Sequence, residues 1–167
     1  MVNCAGSSLL KPSHLTTESE WDAIIQSNLT TAFAIVRSGA RVMMKTGGAI
    51  VLVSAVAGRF GLPYHDAIAA AKAGVIGLTQ SAAATYAKRG IRINCVAPGL
   101  VRTPMTKSIT SNDTQLQAAE TLHPLGQIGE PRHIASAIEW LLDIDNSWIT
   151  GQTLGIDGGL STLSAVR

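Results

Sequence analysis

The sequence is poor in several features that mark particular classes of protein. Only two of the 167 residues are cysteines, Cys4 and Cys95, and they lack metal-ligand spacing, so we expect reduced thiols in the core and no metal site. The 13 basic and 11 acidic residues are interspersed without a basic stripe, which argues against nucleic acid as a partner. The longest apolar run, residues 49–58, is too short to span a bilayer, and no basic segment typical of a signal peptide opens the chain. We therefore expect a cytoplasmic protein without a membrane partner.

The composition and the order of apolar segments are typical of one ordinary globular domain over residues 1–167. Hydrophobic residues make up 46% of the chain and charged residues 14%, which favours a proper core over disorder. Short apolar segments alternate with longer helical patterns, an order that predicts an α/β fold with a parallel sheet. The predicted strands are 48–55, 91–98 and 152–159, and the predicted helices are 18–44, 64–88 and 131–143.

Local signals refine these elements. Thr17 stands three residues before Glu20, the spacing of a capping box at the start of a helix. Pro63 suits the first position of the second helix. Residues 103–130 are polar and longer than an ordinary connection, so we expect a lid there. The opening residues, MVNCAG, look like the end of a strand followed by its turn.

Chemistry-bearing residues follow the predicted strands at their carboxyl ends. Ligands of open parallel sheets bind beyond this edge. The candidate groups are Asn3 to Gly6, Ser54, Pro98 with Gly99, and Asp157 to Gly159. Taken singly, each is more often a turn or a capping hydroxyl than a site, so their order along the chain is the stronger signal.

Seven segments carry a family resemblance: VNCAG, SNLTTAF, IVLVSAVAG, AAAKAGVIGLTQSAA, RINCVAPGLVRTPM, GQIGEPRHIASAIEWLL and ITGQTLGIDGG. Together they resemble the C-terminal portion of a single-domain short-chain dehydrogenase/reductase, from Val2 to about Thr162. The resemblance implies a partial Rossmann-like, doubly wound parallel sheet. It also implies a small-molecule substrate with a carbonyl or hydroxyl group, and NAD or NADP as the cofactor.

The resemblance assigns roles to individual residues. Asn28 matches the helix asparagine that holds a water in the proton relay, and Ser54 matches the serine that hydrogen-bonds the substrate oxygen. Lys72 matches the lysine that binds the nicotinamide ribose and lowers the pKa of the catalytic base. The cofactor would also meet the turn of Asn3, Ala5 and Gly6 and the segment that contains Pro98, Gly99, Val101 and Thr103.

The chain departs from the family pattern in its phosphate loop. No G-x-G-x-x-G motif stands anywhere in the 167 residues. In the family, roughly 70–90 residues of strands and helices would precede MVNCAG and supply this loop. We therefore expect a single but incomplete domain that binds the dinucleotide incompletely on its own.

A second departure concerns the catalytic tyrosine, which the family places four residues before the lysine. Here that position is Ile68, which cannot transfer a proton. Tyr64 and His65 lie eight and seven residues before Lys72, on roughly the same helical face. Either one of them is the proton donor, or both only occupy the junction between loop and helix.

Two functions follow from these observations. The first is an NAD(P)-dependent oxidoreductase that is atypical at its proton donor. The second is a non-catalytic assembly or regulatory subunit, which the loss of the tyrosine favours. In the family, helices matching 18–44 and 64–88 pack in a dimer interface, so we expect a homo-oligomer. A hydrolase with Ser54 and His65 is disfavoured, because the serine lacks a G-x-S-x-G context and an acidic partner for the base.

Overall fold

Four parallel strands form the central sheet of the computed structural model, which describes residues 1–164. The strands lie in chain order and are β1 (Val2–Asn3), β2 (Gly48–Val53), β3 (Ile91–Pro98) and β4 (Thr153–Ile156). The register places Leu52 opposite Cys95 and Val96 opposite Leu154. Since all the strands are parallel, their carboxyl ends meet at one edge of the sheet.

Helices fill the connections between the strands. They are α1 (Glu18–Ile25), α2 (Thr31–Met43), α3 (Asp66–Tyr86), α4 (Lys107–Thr110), α5 (Asp113–Leu122) and α6 (Pro131–Leu142). A π-helical segment, Gln26–Thr30, joins α1 to α2. Short 3₁₀ turns occupy Ser13–Leu15, Val56–Gly58, Ala87–Arg89, Pro104–Thr106 and Ile144–Asn146.

Strands β2 and β3 bury both of their faces against these helices. Because side chains alternate along a strand, the odd and even positions of β2 and β3 enter different clusters. One cluster packs under α2 and α3 and includes Ile50, Leu52, Ile91, Ile93, Cys95, Val36 and Val75. The other packs under α6 and includes Val51, Val96, Ile138 and Leu141. The prediction of a doubly wound parallel α/β sheet is confirmed.

Several predicted boundaries need correction. The capping box is confirmed, since Thr17 and Glu20 exchange backbone-to-side-chain hydrogen bonds of 2.9 and 3.2 Å. The expectation for Pro63 was wrong, because α3 begins only at Asp66. Tyr64 has a φ of 64°, a left-handed conformation that no helix can include. The segment 103–130 contains α4 and α5, and its role as a lid stays a prediction.

The two cysteines have different environments. Cys95 is fully buried in β3, and burial raises the pKa of its thiol to about 11. Cys4 is exposed, so the expectation of a core thiol was wrong for this residue. The reason is its place in the turn just beyond β1, outside the strand itself.

Helix α3 is long and apolar, and by length and composition alone the segment Asp66–Arg89 could cross a membrane. Core helices pass the same test, and α3 packs against β3 and α1. It buries Ala71, Lys72, Val75 and Thr79 on the face toward the sheet. We therefore interpret α3 as the central core helix.

Arg92 holds the end of α6 to the sheet. Its guanidinium is buried and donates hydrogen bonds to the carbonyl oxygens of Leu141, Leu142 and Asp143 at 2.9, 3.3 and 3.0 Å, and of Ile149 at 3.2 Å. The last carbonyls of a helix have no partner within the helix and carry partial negative charge. Arg92 therefore stabilises the helix terminus and ties it to β3.

We expect Arg92→Met to lower the free energy of unfolding by about 2–4 kcal/mol, because several buried carbonyls lose a charged donor. Urea denaturation followed by circular dichroism measures the change. Arg89→Met, at an exposed position just before Gly90, is the control and should leave stability within about 0.5 kcal/mol of the wild type. An equal effect of both substitutions would contradict this role of Arg92.

Candidate active site

The turn after β1 opens the candidate site at the carboxyl edge of the sheet. Asn3 is buried, and its side-chain oxygen accepts a hydrogen bond from the backbone N–H of Ala5 at 3.1 Å, which bends the chain sharply. The turn brings the backbone of Gly6 over the π-helical segment. A Cβ at this glycine would lie 2.6 Å from Oδ1 of Asn28 and 3.5 Å from Nζ of Lys72. Three of the predicted site residues therefore meet at one point.

Asn28 has a buried amide that is only half satisfied. Its Nδ2 donates to the carbonyl oxygens of Ser7 at 3.1 Å and Ile24 at 3.0 Å. Its Oδ1 is buried and has no hydrogen-bond partner among the described residues. An unpartnered buried acceptor is costly in a protein interior. This oxygen is therefore a natural contact for a water or a ligand hydroxyl.

Lys72 brings a buried ammonium to the same place. The residue is 8% exposed, and its Nζ donates a hydrogen bond of 2.9 Å to the carbonyl oxygen of Val53. This is the only hydrogen bond of the ammonium within residues 1–164, so other hydrogens remain for a ligand. Burial lowers the pKa of Lys72, and the nearby Cys95 and Cys4 thiols oppose this shift.

Ser54 makes the complementary bond to the same helix. Its hydroxyl is 2% exposed and donates to the backbone carbonyl of Lys72 at 2.8 Å. The two residues thus form a reciprocal pair of hydrogen bonds between the end of β2 and α3. The predicted contact of Ser54 with a substrate oxygen stays a prediction. A carbonyl substrate would require the hydroxyl hydrogen to leave the Lys72 carbonyl, whereas a substrate hydroxyl could donate to the serine oxygen.

Ile68 occupies the position of the expected tyrosine, and both its side chain and its surroundings are apolar. Ile68 is 5% exposed and lies in a hydrophobic cluster with Ile24, Ala67 and Ala71. A phenol or imidazole here would need a polar partner that this cluster does not contain. The site therefore has no acid or base one turn before Lys72.

The structure places Tyr64 and His65 apart from this group. Tyr64 is 61% exposed, and its carbonyl accepts a hydrogen bond from the backbone of Lys11 at 2.8 Å. His65 is exposed, and its Nδ1 lies 2.7 Å from the carbonyl oxygen of Pro63. Lys72 follows His65 by seven positions, a rise of about 10 Å along the helix axis. A role for either residue as proton donor stays a prediction.

The segment after β3 forms the opposite wall of the site. Gly99 bonds back to Ile156 of β4 at 3.1 Å, and Val101 is buried beside Gly129. Thr103 is held by Thr106, which accepts its backbone N–H at 3.0 Å. Pro98 ends β3 and starts this wall. The four residues predicted to meet the nicotinamide are thus one ordered segment at the sheet edge.

Two buried polar residues lie near this wall: Asp157, which belongs to the candidate group Asp157 to Gly159, and His123, which no pattern in the sequence singled out. His123 is 4% exposed and accepts the backbone N–H of Leu100 at 3.3 Å through Nε2. Asp157 is 7% exposed and accepts the backbone N–H groups of Gly159 and Ser161. A single histidine in a polar segment carries no spacing signal, so only the fold could show its position. Among residues 1–164 no group of three or more His, Cys, Asp or Glu side chains is arranged to hold a metal ion.

The arrangement suits a ligand with hydroxyl and amide groups. Lys72 offers charged donors, Asn28 offers a free acceptor, and the turns after β1 and β3 offer backbone groups. Gly6 and Gly99 let neighbouring side chains approach closely, since a Cβ on Gly6 would lie 2.6 Å from Oδ1 of Asn28 and a Cβ on Gly99 2.7 Å from Nε2 of His123.

Comparison with known proteins supports this interpretation. A family model described as enoyl-(acyl carrier protein) reductase matches residues 1–161. The chain is 44% identical over 144 residues to 3-oxoacyl-[acyl-carrier-protein] reductase FabG of Vibrio cholerae, which covers 86% of this chain and 58% of the relative. It is 36% identical over 164 residues to (3R)-3-hydroxyacyl-CoA dehydrogenase of Canis lupus familiaris, covering 96% and 62% respectively. The chain thus spans about three fifths of the length of these curated relatives.

Solved structures of proteins with a bound dinucleotide also superpose closely on this chain. ElxO with NADP bound superposes with a TM-score of 0.91 at 34% identity and covers 97% of this chain and 66% of its own. A 4-hydroxyisoleucine dehydrogenase complexed with NADH superposes with a TM-score of 0.93 at 31% identity, covering 98% and 68%.

The contact at Gly6 can be tested by adding one methyl group. We expect Gly6→Ala to lower the free energy of unfolding by about 1–3 kcal/mol, because the new Cβ would overlap Oδ1 of Asn28. Gly61→Ala is the control, since a Cβ there meets no atom within 4 Å, and it should raise stability by up to about 1 kcal/mol. Chemical denaturation measures both. A Gly6→Ala protein as stable as the control would show that this space is not occupied as described.

Burial of Lys72 predicts a pH dependence of stability. Because the pKa of Lys72 is lowered in the folded state, the unfolded chain holds this proton to higher pH. The unfavourable burial of the charge is fully present below the folded pKa and is relieved progressively as pH rises from the folded to the unfolded pKa. We therefore expect the wild type to gain stability relative to Lys72→Met between about pH 7 and about pH 10.

Urea denaturation of both proteins at both pH values measures this difference. The raised pKa of Cys95 acts in the opposite direction in both proteins. Lys72 holds that pKa down, so the loss of stability with rising pH is larger in Lys72→Met and adds to the expected difference. Lys88→Met, at an exposed position, should show no pH-dependent difference from the wild type. A constant difference between wild type and Lys72→Met would contradict the prediction.

Proposed function

This chain belongs to the short-chain dehydrogenase/reductase family, and on that premise we propose that it acts as an NAD(P)-dependent oxidoreductase on a carbonyl or hydroxyl substrate. The observation that carries the proposal is the meeting of Gly6, Asn28 and Lys72 at the carboxyl edge of the sheet. The names of the relatives, a 3-oxoacyl reductase and a 3-hydroxyacyl dehydrogenase, favour an acyl thioester oxidised at carbon 3 as the substrate.

The site fits a nicotinamide dinucleotide in its polar groups. Oδ1 of Asn28 lacks a partner and the ammonium of Lys72 retains free hydrogens, so ribose hydroxyls or an ordered water would satisfy both. The turn of Asn3, Ala5 and Gly6 and the wall from Pro98 to Thr103 would enclose the nicotinamide half. When bound, the dinucleotide supplies the hydride. The 167 residues hold no glycine-rich phosphate loop, so we expect binding by this chain alone to be incomplete.

The protein's own task in such a reaction is to orient the ligand and move a proton. Lys72, held by Val53 and Ser54, would orient the ribose, and Asn28 would hold a water. Tyr64 or His65 is proposed as the donor because Ile68 cannot serve. The strained backbone of Tyr64 supports this, since left-handed non-glycine residues are concentrated at functional sites.

The proposal includes a homo-oligomer built through α2 and α3. A groove between these helices is lined by Phe33, Val36, Ala40, Leu78 and Tyr86, with Arg37 and Arg41 at its rim. Phe33 is 51% exposed in the single chain. Burial of such an aromatic ring is a common centre of a protein interface. We further propose one domain with a lid at 103–130 and a cytoplasmic location.

A second function, a non-catalytic assembly or regulatory subunit, is favoured by one observation. Ile68 is not only the wrong residue for proton transfer but is packed in an apolar cluster. A chain that had lost catalysis could keep α2 and α3 for assembly while its acid/base position became part of the core.

The proposal is tested by the reduction of acetoacetyl-CoA with NADPH or NADH. The absorbance of the reduced nicotinamide follows the reaction. We expect turnover by the wild type and a loss of at least about 100-fold in Lys72→Met. Lys88→Met should retain the activity of the wild type. Of Tyr64→Phe and His65→Ala, the variant that removes the donor should lose about 10²–10⁴-fold, and the other should remain active.

Light scattering and calorimetric titration with NADPH separate the two functions. A protein that binds no dinucleotide and shows no turnover, yet forms an oligomer that Phe33→Asp dissociates, would replace the oxidoreductase proposal with the assembly subunit. If turnover is present but neither Tyr64→Phe nor His65→Ala affects it, both residues are excluded as donors.

A further inference from the structure

Arg59 places a positive charge over the end of β4, on the α3 side of the sheet. The residue follows the 3₁₀ turn Val56–Gly58 and is exposed. A Cβ on Gly155 would lie 2.8 Å from its Nη1, so the guanidinium lies against the bare backbone of the strand at this glycine. Gly155 pairs with Ala97, which shares a face of β3 with Cys95, and Cys95 belongs to the cluster under α3. The guanidinium therefore has a defined place near the carboxyl edge of the sheet.

The surroundings of Arg59 adjoin the candidate site on two sides. Gly58, which precedes Arg59, packs on α3, since a Cβ on it would lie 2.8 Å from the carbonyl carbon of Lys72. At the end of β4, Asp157 packs on the wall after β3, since a Cβ on Gly99 would lie 3.0 Å from its Cα. A ligand that occupies the candidate site can therefore extend toward the guanidinium.

The guanidinium of Arg59 has no acceptor within residues 1–164. The ion pairs of this part of the chain join Lys11 to Glu20 and Arg102 to Glu130, and Arg59 belongs to neither. Its side chain also donates no hydrogen bond to any of these residues. Because an arginine side chain carries five N–H donors in a planar fork, the whole hydrogen-bonding capacity of the group is available to a ligand.

The neighbouring carboxylate of Asp157 does not use these donors. Its Oδ2 would lie 3.6 Å from the Cβ on Gly155, which places it close to the guanidinium. However, Oδ1 accepts from the backbone N–H of Gly159 at 3.0 Å, and Oδ2 accepts from the N–H and the hydroxyl of Ser161 at 3.1 and 2.5 Å. The carboxylate is therefore bound within its own turn.

A second positive charge acts on the same part of β3. Burial raises the pKa of the Cys95 thiol, and the charges of Lys72 and Arg59 both oppose this rise. The ammonium of Lys72 bonds to Val53 of β2, whereas the guanidinium of Arg59 lies on β4, so the two cations flank β3. Two cations beside a single bound carboxylate favour a negatively charged ligand at this edge.

We propose that Arg59 is a specificity residue that binds an anionic group of the substrate, either a carboxylate close to the reacting carbonyl or a phosphate of a carrier. The guanidinium fork binds both kinds of group through paired, charge-assisted hydrogen bonds. The inference rests on the proposed function, because it names a further feature of the substrate of that same site.

Three substrates with the same 3-oxo group identify the anion. Ethyl acetoacetate is uncharged, acetoacetate carries a carboxylate, and acetoacetyl-CoA carries phosphates. We expect Arg59→Met to lower kcat/KM by about 10–100-fold for at least one charged substrate, and by less than about twofold for ethyl acetoacetate. The charged substrate that responds shows which group Arg59 binds. Arg89→Met, exposed just before β3 begins and hence at the other end of the sheet, is the control and should leave all three values unchanged.

Gly155→Ala tests the placement of the charge without removing it. The new Cβ would take the place of Nη1, so we expect the same kcat/KM to fall about three- to tenfold. Arg59→Lys keeps the charge but loses the fork, so it should retain part of the activity that Arg59→Met loses. These variants keep the inference testable if Arg59→Met fails to fold.

An equal loss on ethyl acetoacetate, or no loss on either charged substrate, would overturn the anion site. If the wild type reduces none of the three substrates, the proposed oxidoreductase function fails. Saturation-transfer NMR with acetoacetate and acetoacetyl-CoA on the cofactor-free protein then tests the anion site alone. Binding that Arg59→Met abolishes and Arg89→Met retains supports the site, whereas no binding, or binding that Arg59→Met leaves intact, rejects it.

Discussion

The candidate site depends on the reciprocal pair of hydrogen bonds between the end of β2 and helix α3. The hydroxyl of Ser54 donates to the backbone of Lys72, and the ammonium of Lys72 donates to the backbone of Val53. Gly58 allows the chain to approach the helix here, since a Cβ on it would lie 2.8 Å from the Lys72 backbone. The bonds fix where α3 sits along the strand, and thus where its ammonium meets the turn after β1.

This placement leaves two buried polar groups without full hydrogen bonding. A buried ammonium with one carbonyl partner and a buried amide oxygen without a partner are both unfavourable in a protein interior. The two groups lie on either side of Gly6, at the edge where ligands of parallel sheets bind. Such unsatisfied polar groups are typical of a binding site rather than of a core.

The second wall of the site depends on contacts that are distant in sequence. His123 reaches back 23 residues to the N–H of Leu100, and Arg92 reaches forward about 50 residues to the end of α6. Both are buried polar residues whose partners are backbone groups. Backbone groups are the same at every position, so no residue pattern in the sequence indicates these pairings.

The sequence by itself determined the alternation of strands and helices, the strand β3 to the residue, the capping box of Thr17 and the order of the polar groups at the strand ends. Apolar periodicity and helix-capping spacing are local, and for this reason they can be interpreted without a structure. Only the tertiary structure decided that Cys4 is exposed, that α3 begins at Asp66 and that Ser54 bonds the helix that carries Lys72. It also decided that Asn28 and Lys72 share one space while Tyr64 and His65 lie outside it. These outcomes depend on how far a helix slides along a strand and on which backbone groups meet across the sheet, and side-chain order alone specifies neither.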